Sequence, residues 1–289
     1  MAYQIVTDSS CNLPEDVIES YQIEILPLHF IVEDKTYSSY NKGEVTDLQQ
    51  FYTMMRAKKD ITTSQISRLA CEALFKRILR EGKDILYIGF SSGLSGTYQA
   101  AHMVLVEMAA RYPDRVILDV DTLGASLGEG LLVYHAAEQK AAGASIHEVH
   151  RWLMENRLHL CHWFTVDDLF FLMRGGRVSR TAATFGTMLN IKPVMHMDDE
   201  GHLIPLYKVR GRKRSLGELV RNMERLAIEP EKQAVFISHG DCIKDAEYVA
   251  DRVERRMHPR KILINYVDPV IGAHSGPGTV ALFFLGTER

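Results

Sequence analysis

Two α/β domains with mostly parallel sheets are what this chain of 289 residues predicts, and three observations lead there. Apolar runs of β type alternate with runs of helical period, the pattern of strands joined by crossover helices. The length exceeds what one hydrophobic core usually fills and suits two. The strand–helix pattern restarts near 155–160, which divides the chain into 1–157 and 158–289. No low-complexity linker marks the division, so the halves are expected to pack tightly.

In order, YQIVT (3–7) predicts a buried strand, ended by the turn-rich DSSCN, and Pro14 suits a first helical turn. Asp8 follows that strand; it can serve as acid or base, although an aspartate there more often bonds its own turn. IEILPLHFIV (23–32) predicts a second strand region, with Pro27 at an edge or bulge. Thr46 and Gln49 form a capping box for a helix over 47–57, and 67–81 predicts another helix. DILYIGF (84–90) is a strand, 98–112 an Ala- and Met-rich helix, RVILDV (115–120) a strand and 124–142 a long helix. Ser145 and Glu148 cap a helix over 146–155.

In the second half, RLHLCHWF (157–164) predicts a strand, and 192–198 with 202–210 a hairpin turning at Glu200-Gly201. Residues 215–227 predict an amphipathic helix, 233–240 a strand, 243–257 a helix and 261–268 a strand. TVALFFLG (279–286) predicts a short, very apolar helix.

Composition narrows the function. With 46% apolar and 25% charged residues the chain is of ordinary globular make-up, and no stretch is long and apolar enough to span a bilayer. The start lacks the basic flank and apolar core of a signal peptide. Cys11, Cys71, Cys161 and Cys242 are too scattered for a zinc ribbon or disulfide framework, which suits a reducing, cytoplasmic setting. A net charge of −3 offers no global field for nucleic acid.

Five stretches are candidates for chemistry. GFSSGLSGTYQAA (89–101) places a glycine-bearing, hydroxyl-rich turn between a strand and a helix, where free N–H groups favour an anion. It lacks the lysine of a phosphate-binding P-loop and the spacing of a hydrolase nucleophile elbow. A plain capped turn remains the other reading. ITTSQIS (61–67) is a second hydroxyl cluster, and helix capping by Ser64 or Ser67 accounts for it on its own. In VIGAHSGPG (270–278), His274 stands among small residues after a strand and before a helix, and its glycines allow close backbone approach. In FLMRGGRVSRTAA (171–183), Arg174, Arg177 and Arg180 flank a Gly-Gly; they are either a solvated surface or guanidinium groups offered to a phosphate or carboxylate. KVRGRKRS (208–215) is basic but has no interleaved aromatics, which favours an acidic partner or phosphate over nucleic acid. HLCH (159–162) resembles a metal cluster, but strand alternation puts Cys161 and the histidines on opposite faces.

TDSSCNLP, TTSQIS, SSGLSGTYQAA, RGGRVSR followed by LNIKPV, and IGAHSGPG occur in that order along essentially the whole chain. Together they resemble the DegV family. The resemblance implies a fold of two α/β domains with a fatty acid held at and between them. Characterised members are bacterial fatty-acid-binding proteins that serve as the acyl-carrying subunit of a fatty acid kinase. A separate ATP-binding kinase subunit phosphorylates the carboxylate, and the acyl phosphate feeds phospholipid synthesis. Carried onto this sequence, the resemblance puts the carboxylate on Thr63, Ser95 and His274, with Thr62, Ser64, Gly96 and Thr97 in the supporting loops. It sets Arg174, Arg177, Arg210 and Lys213 on the side where a kinase docks and a phosphate forms. It implies no cofactor beyond a bound long-chain fatty acid such as palmitate, stearate or oleate, and is compatible with transient membrane contact. Family members often have proline where this chain has Ile66, which implies a less rigid loop.

The physical chemistry agrees with a carrier. A buried carboxylate needs donors, and donors from both halves converge only at an interface between them. Helix 98–112 and the run 280–286 are candidates to line a tunnel, or equally ordinary core. The sequence offers no nucleotide site or metal-holding acids for phosphoryl transfer, so the expectation is a lipid-binding subunit and not a complete enzyme. The alternative is a free-standing phosphotransferase in which His274 accepts the phosphoryl group. A DNA-binding regulator using 208–215 is a weaker third reading.

Overall fold

The computed structural model describes residues 2–179 and 190–289. Arg180 lies outside the described residues. Strands β1 (Tyr3–Asp8), β2 (Glu24–Leu26), β6 (Asp84–Gly89) and β7 (Ile117–Asp121) form a parallel sheet in the order β2-β1-β6-β7. Helices α3 (Arg68–Arg80) and α4 (Thr97–Arg111) cover one face, packing Phe75, Ile78, Val104 and Met108 onto Ile85 and Tyr87.

Helix α5 (Leu127–Ala141) covers the other face, and nearly all of its first eleven residues are buried. A helix apolar on all sides needs partners on all sides. Its second partner is a six-stranded sheet built from β8 (Leu160–Thr165), β9 (Ile191–Met197), β10 (Leu203–Arg210), β11 (Ala234–His239), β12 (Lys261–Tyr266) and β13 (Val280–Leu285), in the order β10-β9-β8-β13-β11-β12. Two further helices, Arg212–Leu226 and Ile243–Met257, cover its outer face. Ile5, Leu86, Leu131, Phe164, Phe236 and Phe283 therefore belong to one core that runs through α5 from sheet to sheet.

The α/β architecture stands, but the strands are mostly parallel only in the first sheet. In the second, β11 and β12 alone pair in parallel; every other pair is antiparallel. The run 280–286, expected to be a helix, supplies the central strand β13, paired on both edges. A strand buried on both faces loses its alternation and shows only a short apolar run, and six residues rich in Val and Phe suit a strand better.

Pro27 breaks the predicted 23–32 strand in two. Residues before it join the parallel sheet, and β3 (His29–Val32) starts a third, antiparallel sheet with β4 (Lys35–Ser38) and β5 (Ile61–Ser64). Helix α2 (Leu48–Arg56) is capped by Asp47, whose side chain accepts from the Gln50 N–H, one residue after the expected Thr46 cap. The Ser145/Glu148 capping box forms as expected and starts α6 (Ile146–Asn156). His274 lies in the last turn of a short helix, Pro269–Ser275, followed by a strand, so the expected strand–loop–helix order is reversed there. Asp268 caps that helix through the N–H groups of Val270 and Ile271, and Pro269 opens it.

Candidate functional site

A cavity of about 300 Å³ opens where these layers meet. Its site is dictated by topology. In the parallel sheet the chain passes from the β1 side to the β6 side, and the crevice beyond the carboxyl ends of such strands is where α/β sheets take ligands. The loop after β6 supplies Phe90, Leu94, Ser95 and Gly96 to the wall. The start of α5 supplies Ala125 and Ser126, and β5 with the residues after it supplies Thr63, Ser64 and Gln65. The floor is the six-stranded sheet. Antiparallel register sets Phe164 opposite Ala281 and, one step deeper, His162 opposite Phe283. The wall is predominantly apolar, with a minority of polar side chains among the lining residues.

Two of these polar side chains meet: Thr63 Oγ1 lies 2.8 Å from His274 Nε2. The two residues are 211 positions apart, and the contact joins β5 to helix Pro269–Ser275. His274 Nδ1 is shielded from water and has no hydrogen-bond partner among the described residues. This fixes the useful tautomer. A proton on Nδ1 would be an unpaired buried donor and would leave Nε2 to consume the Thr63 hydroxyl. A proton on Nε2 is donated to Thr63, whose own O–H then points free for a ligand. Burial, with the positive charges of Arg177 and Arg174, pulls the His274 pKa down to about 4, so the ring is neutral at pH 7.

Ser95 also lines the cavity. Its Oγ accepts from the Thr97 N–H at 3.2 Å and lies 2.9 Å from Thr97 Oγ1. If Thr97 donates across the latter contact, the Ser95 proton is free. Gly96 and Ser67, at the cap positions of α4 and α3, make no side-chain capping bond, so the one hydroxyl that serves a helix start here is Ser95, through the N–H of Thr97, the first residue of α4. Ser91 is committed elsewhere. Its hydroxyl donates to the Gly201 carbonyl at 2.9 Å, clamping the β9–β10 hairpin turn onto this loop. Gly201 has φ of +80°, and a Cβ there would lie 2.2 Å from Ser91 Oγ, so the turn requires glycine.

The RGGR segment closes over the histidine. A Cβ on Gly175 would lie 2.1 Å from His274 Nδ1. Arg177 lines the cavity and donates through Nε to the Leu94 carbonyl at 3.1 Å, tying this segment to the Ser95 loop. Burial lowers its pKa. Arg174 reaches the Ala273 carbonyl at 3.5 Å and sits over the Phe171 ring, outside the cavity lining. Thr62 is exposed on the other side of β5, and Thr97 is buried beneath Ser95. Arg210 and Lys213 do not line the cavity; both are exposed. Their segment is nevertheless tied to the same end of the sheet, because Arg212 donates to the Gly278 carbonyl at 2.7 Å and pairs with Asp245.

The structure adds residues that sequence reasoning missed. Gln65 lines the cavity, within the quoted TTSQ stretch. Ser126 lines it with φ of 56° and ψ of −147°, a strained conformation for a residue other than glycine. Its hydroxyl bonds Asn12 and Ser238, 2.7 and 2.8 Å away. His162 accepts the Ala125 N–H at 3.2 Å, and burial holds its pKa well below the usual value. Cys161 and His162 do face opposite sides of their strand, whereas His159 precedes it and pairs with the Gly286 carbonyl. Among the described residues no cluster of three or more metal-ligating side chains occurs, and no helix is long and apolar enough to cross a membrane.

Comparison with known proteins places the chain among relatives. A family model described as an uncharacterised protein of the DegV family matches residues 2–287. A DegV domain-containing protein of Clostridium perfringens is 41% identical over 287 residues, covering 99% of this chain and 98% of its own length. A DegV lipid-binding protein of Thermotoga maritima has a similar structure, with a TM-score of 0.87 at 29% identity over 100% of both chains. A DegV family protein of Thermus thermophilus, described as binding fatty acid, has a TM-score of 0.86 at 28% identity, covering 99% of this chain and 100% of its own.

Proposed function

This chain belongs to the DegV family, and from that premise we propose that it binds a long-chain fatty acid in the cavity and presents the carboxylate to a separate ATP-dependent kinase subunit. The acyl phosphate formed there would feed phospholipid synthesis in the cytoplasm. The observation that carries the reading is that Thr63, Ser95 and His274 all line one mainly apolar cavity, with Thr63 in contact with His274.

The parts have distinct roles. Thr63 and Ser95 donate O–H groups to the carboxylate. His274 does not touch it as a cation; its Nε2–H holds Thr63 with the proton pointing outward. Arg177 stands at the rim, where its guanidinium favours an anion and then a phosphate. Arg174, Arg210 and Lys213 belong to the face that meets the kinase. A C16 acid has roughly fourteen methylenes at about 0.8 kcal/mol each, so burying the tail contributes on the order of 10 kcal/mol before ordering costs. The tail supplies the affinity and the hydroxyls set the register. The carrier works without nucleotide chemistry of its own.

The phosphotransferase reading fares worse. A phosphoryl group on Nδ1 would collide with Gly175, and one on Nε2 would displace Thr63. Denaturing mass spectrometry of the purified protein should release a long-chain fatty acid, and stripped protein should take up palmitate or oleate. Failure of both sinks the proposal. Thr63→Val and Ser95→Ala should each weaken retention by roughly tenfold or more, the loss of a hydrogen bond to a charged group.

A further inference from the structure

Beneath the Ser95 loop lies a pair of buried carboxyls that the binding site does not use. Asp8, at the end of β1, and Glu129, in the first turn of α5, are both fully buried. The Ser10 hydroxyl sits between them, 2.5 Å from Asp8 Oδ1 and 2.8 Å from Glu129 Oε2. A hydroxyl has one proton and can donate to only one of them. If both carboxyls were ionised, the second contact would set lone pair against lone pair. One carboxyl must therefore carry a proton and donate it to Ser10.

The remaining hydrogen bonds decide which. Asp8 also accepts from the Ser10 N–H at 3.1 Å, the Phe90 N–H at 3.1 Å and the Tyr87 hydroxyl at 3.2 Å. Glu129 has one other donor, the Thr7 hydroxyl at 2.9 Å. Several donors stabilise an anion, and a poorly supplied buried carboxyl stays neutral. We propose that Glu129 is a neutral carboxylic acid at physiological pH, donating to Ser10, which donates in turn to an ionised Asp8 that holds the Phe90 N–H and so positions the Ser95 loop. Glu129 and Asp8 are positioning residues, because neither lines the cavity.

The surroundings agree. The charges acting most on Glu129 are Asp8 and Asp268, both acidic; the Cys11 thiol and the Tyr87 phenol also face it, and the Cys71 thiol faces Asp8. Burial first, then Asp8, pushes the Glu129 carboxyl well above its ordinary value of 4.5, and burial also raises Asp8 against its hydrogen bonds.

Glu129→Gln keeps the shape and a donor toward Ser10. Infrared difference spectra of wild type against E129Q at pH 7 should show a protonated-carboxyl stretch in the wild type; its absence overturns the proposal. Wild-type Glu129 keeps a proton that the unfolded chain releases above 4.5. Wild type is therefore expected to lose stability relative to E129Q as the pH rises above 4.5; a Tm difference independent of pH counts against the assignment. Amide exchange at Phe90 gives the positioning readout. It should stay slow in E129Q and accelerate at least about tenfold in Asp8→Asn, which turns an acceptor into a donor. Equal exchange in both variants overturns that role. None of these measurements depends on the ligand's identity.

Discussion

At the scale of single residues, the head of the cavity depends on neighbours that touch no ligand in the proposed arrangement. Gly175 is one. Its φ of −73° suits any residue, yet a Cβ would reach within 2.1 Å of His274 Nδ1 and force the ring off Thr63. Gly176, next in sequence, has φ of +74° and nothing within 4 Å of an added Cβ. The two alanine variants should therefore separate. Gly176→Ala is expected to cost about 1 kcal/mol of stability through backbone strain and leave ligand retention intact. Gly175→Ala should weaken retention with a smaller loss attributable to the backbone. Denaturant melts and lipid off-rates of the pair test this, and the reverse order would contradict the assigned packing. His274 adds a pH signature. With a folded pKa of about 4 against an ordinary 6.5, the unfolded chain takes up a proton that the folded ring refuses. Its contribution is present above pH 6.5 and lost as pH falls toward 4. Replacing His274 by Asn should flatten that part of the stability profile of the ligand-free protein; an unchanged slope would show that the ring is not held neutral.

At the scale of elements, the strands and helices visible in the sequence are those with one buried face or a clear cap. The parallel sheet, α3 to α6 and the β9–β10 hairpin follow their periodicity. What was not legible had lost its period or borrowed its structure from elsewhere. β13 is buried on both faces and so reads as an apolar run of either kind. β5 is half exposed, with burial that alternates around hydroxyl residues, and it exists because Phe30 pairs with Thr63. The helix carrying His274 has seven residues, too few to show a period, though Asp268 followed by Pro269 was a signal for its start. The motif order pointed to Thr63, Ser95 and His274, which the fold brings to one cavity, but no spacing could reveal that His274 bonds Thr63 or that Gly175 covers it. Asp268 is the element-scale test. It accepts from Val270 and Ile271 and sits beside Asn12 across the interface. Asp268→Ala should cost about 1 kcal/mol, the usual loss of a helix cap, and loosen His274, seen as faster lipid release. A stability loss with unchanged release would mean that the helix holds its last turn without its cap.

At the scale of the whole molecule, α5 determines how the halves relate. It belongs by sequence to the first half, yet the Ala125 N–H before it is bonded by His162, Ser126 by Ser238, and its side chains pack against Phe236 and Phe283. Tyr52 donates to the Val267 carbonyl at 2.9 Å, and Asn265 to the Asn12 carbonyl at 2.8 Å, so each half of the sequence donates a hydrogen bond to the other. We propose that the chain divides at residue 157, between α6 and β8, into two structural domains that do not fold alone. Cutting there would expose one side of α5, with Leu131, Val133 and Ala137 among its buried residues. Apolar surface of that kind contributes roughly 25 cal/mol per Å² only while it is covered. The fragment 1–157 alone is thus expected to lack a cooperative thermal transition and to bind apolar dyes, and mixing it with 158–289 should restore a single transition. A fragment that melts cooperatively alone would instead make the halves independent. Fatty acid should act on the joined protein in the same sense, because its proposed cavity is walled by both halves. At a free ligand concentration of 100 times Kd, linkage adds about 2.7 kcal/mol. Stripped protein should melt at a lower temperature than the loaded form in one transition. Two separate transitions, only one of them shifted by lipid, would show that the cavity is the property of one half and that the interface contributes little to holding the ligand.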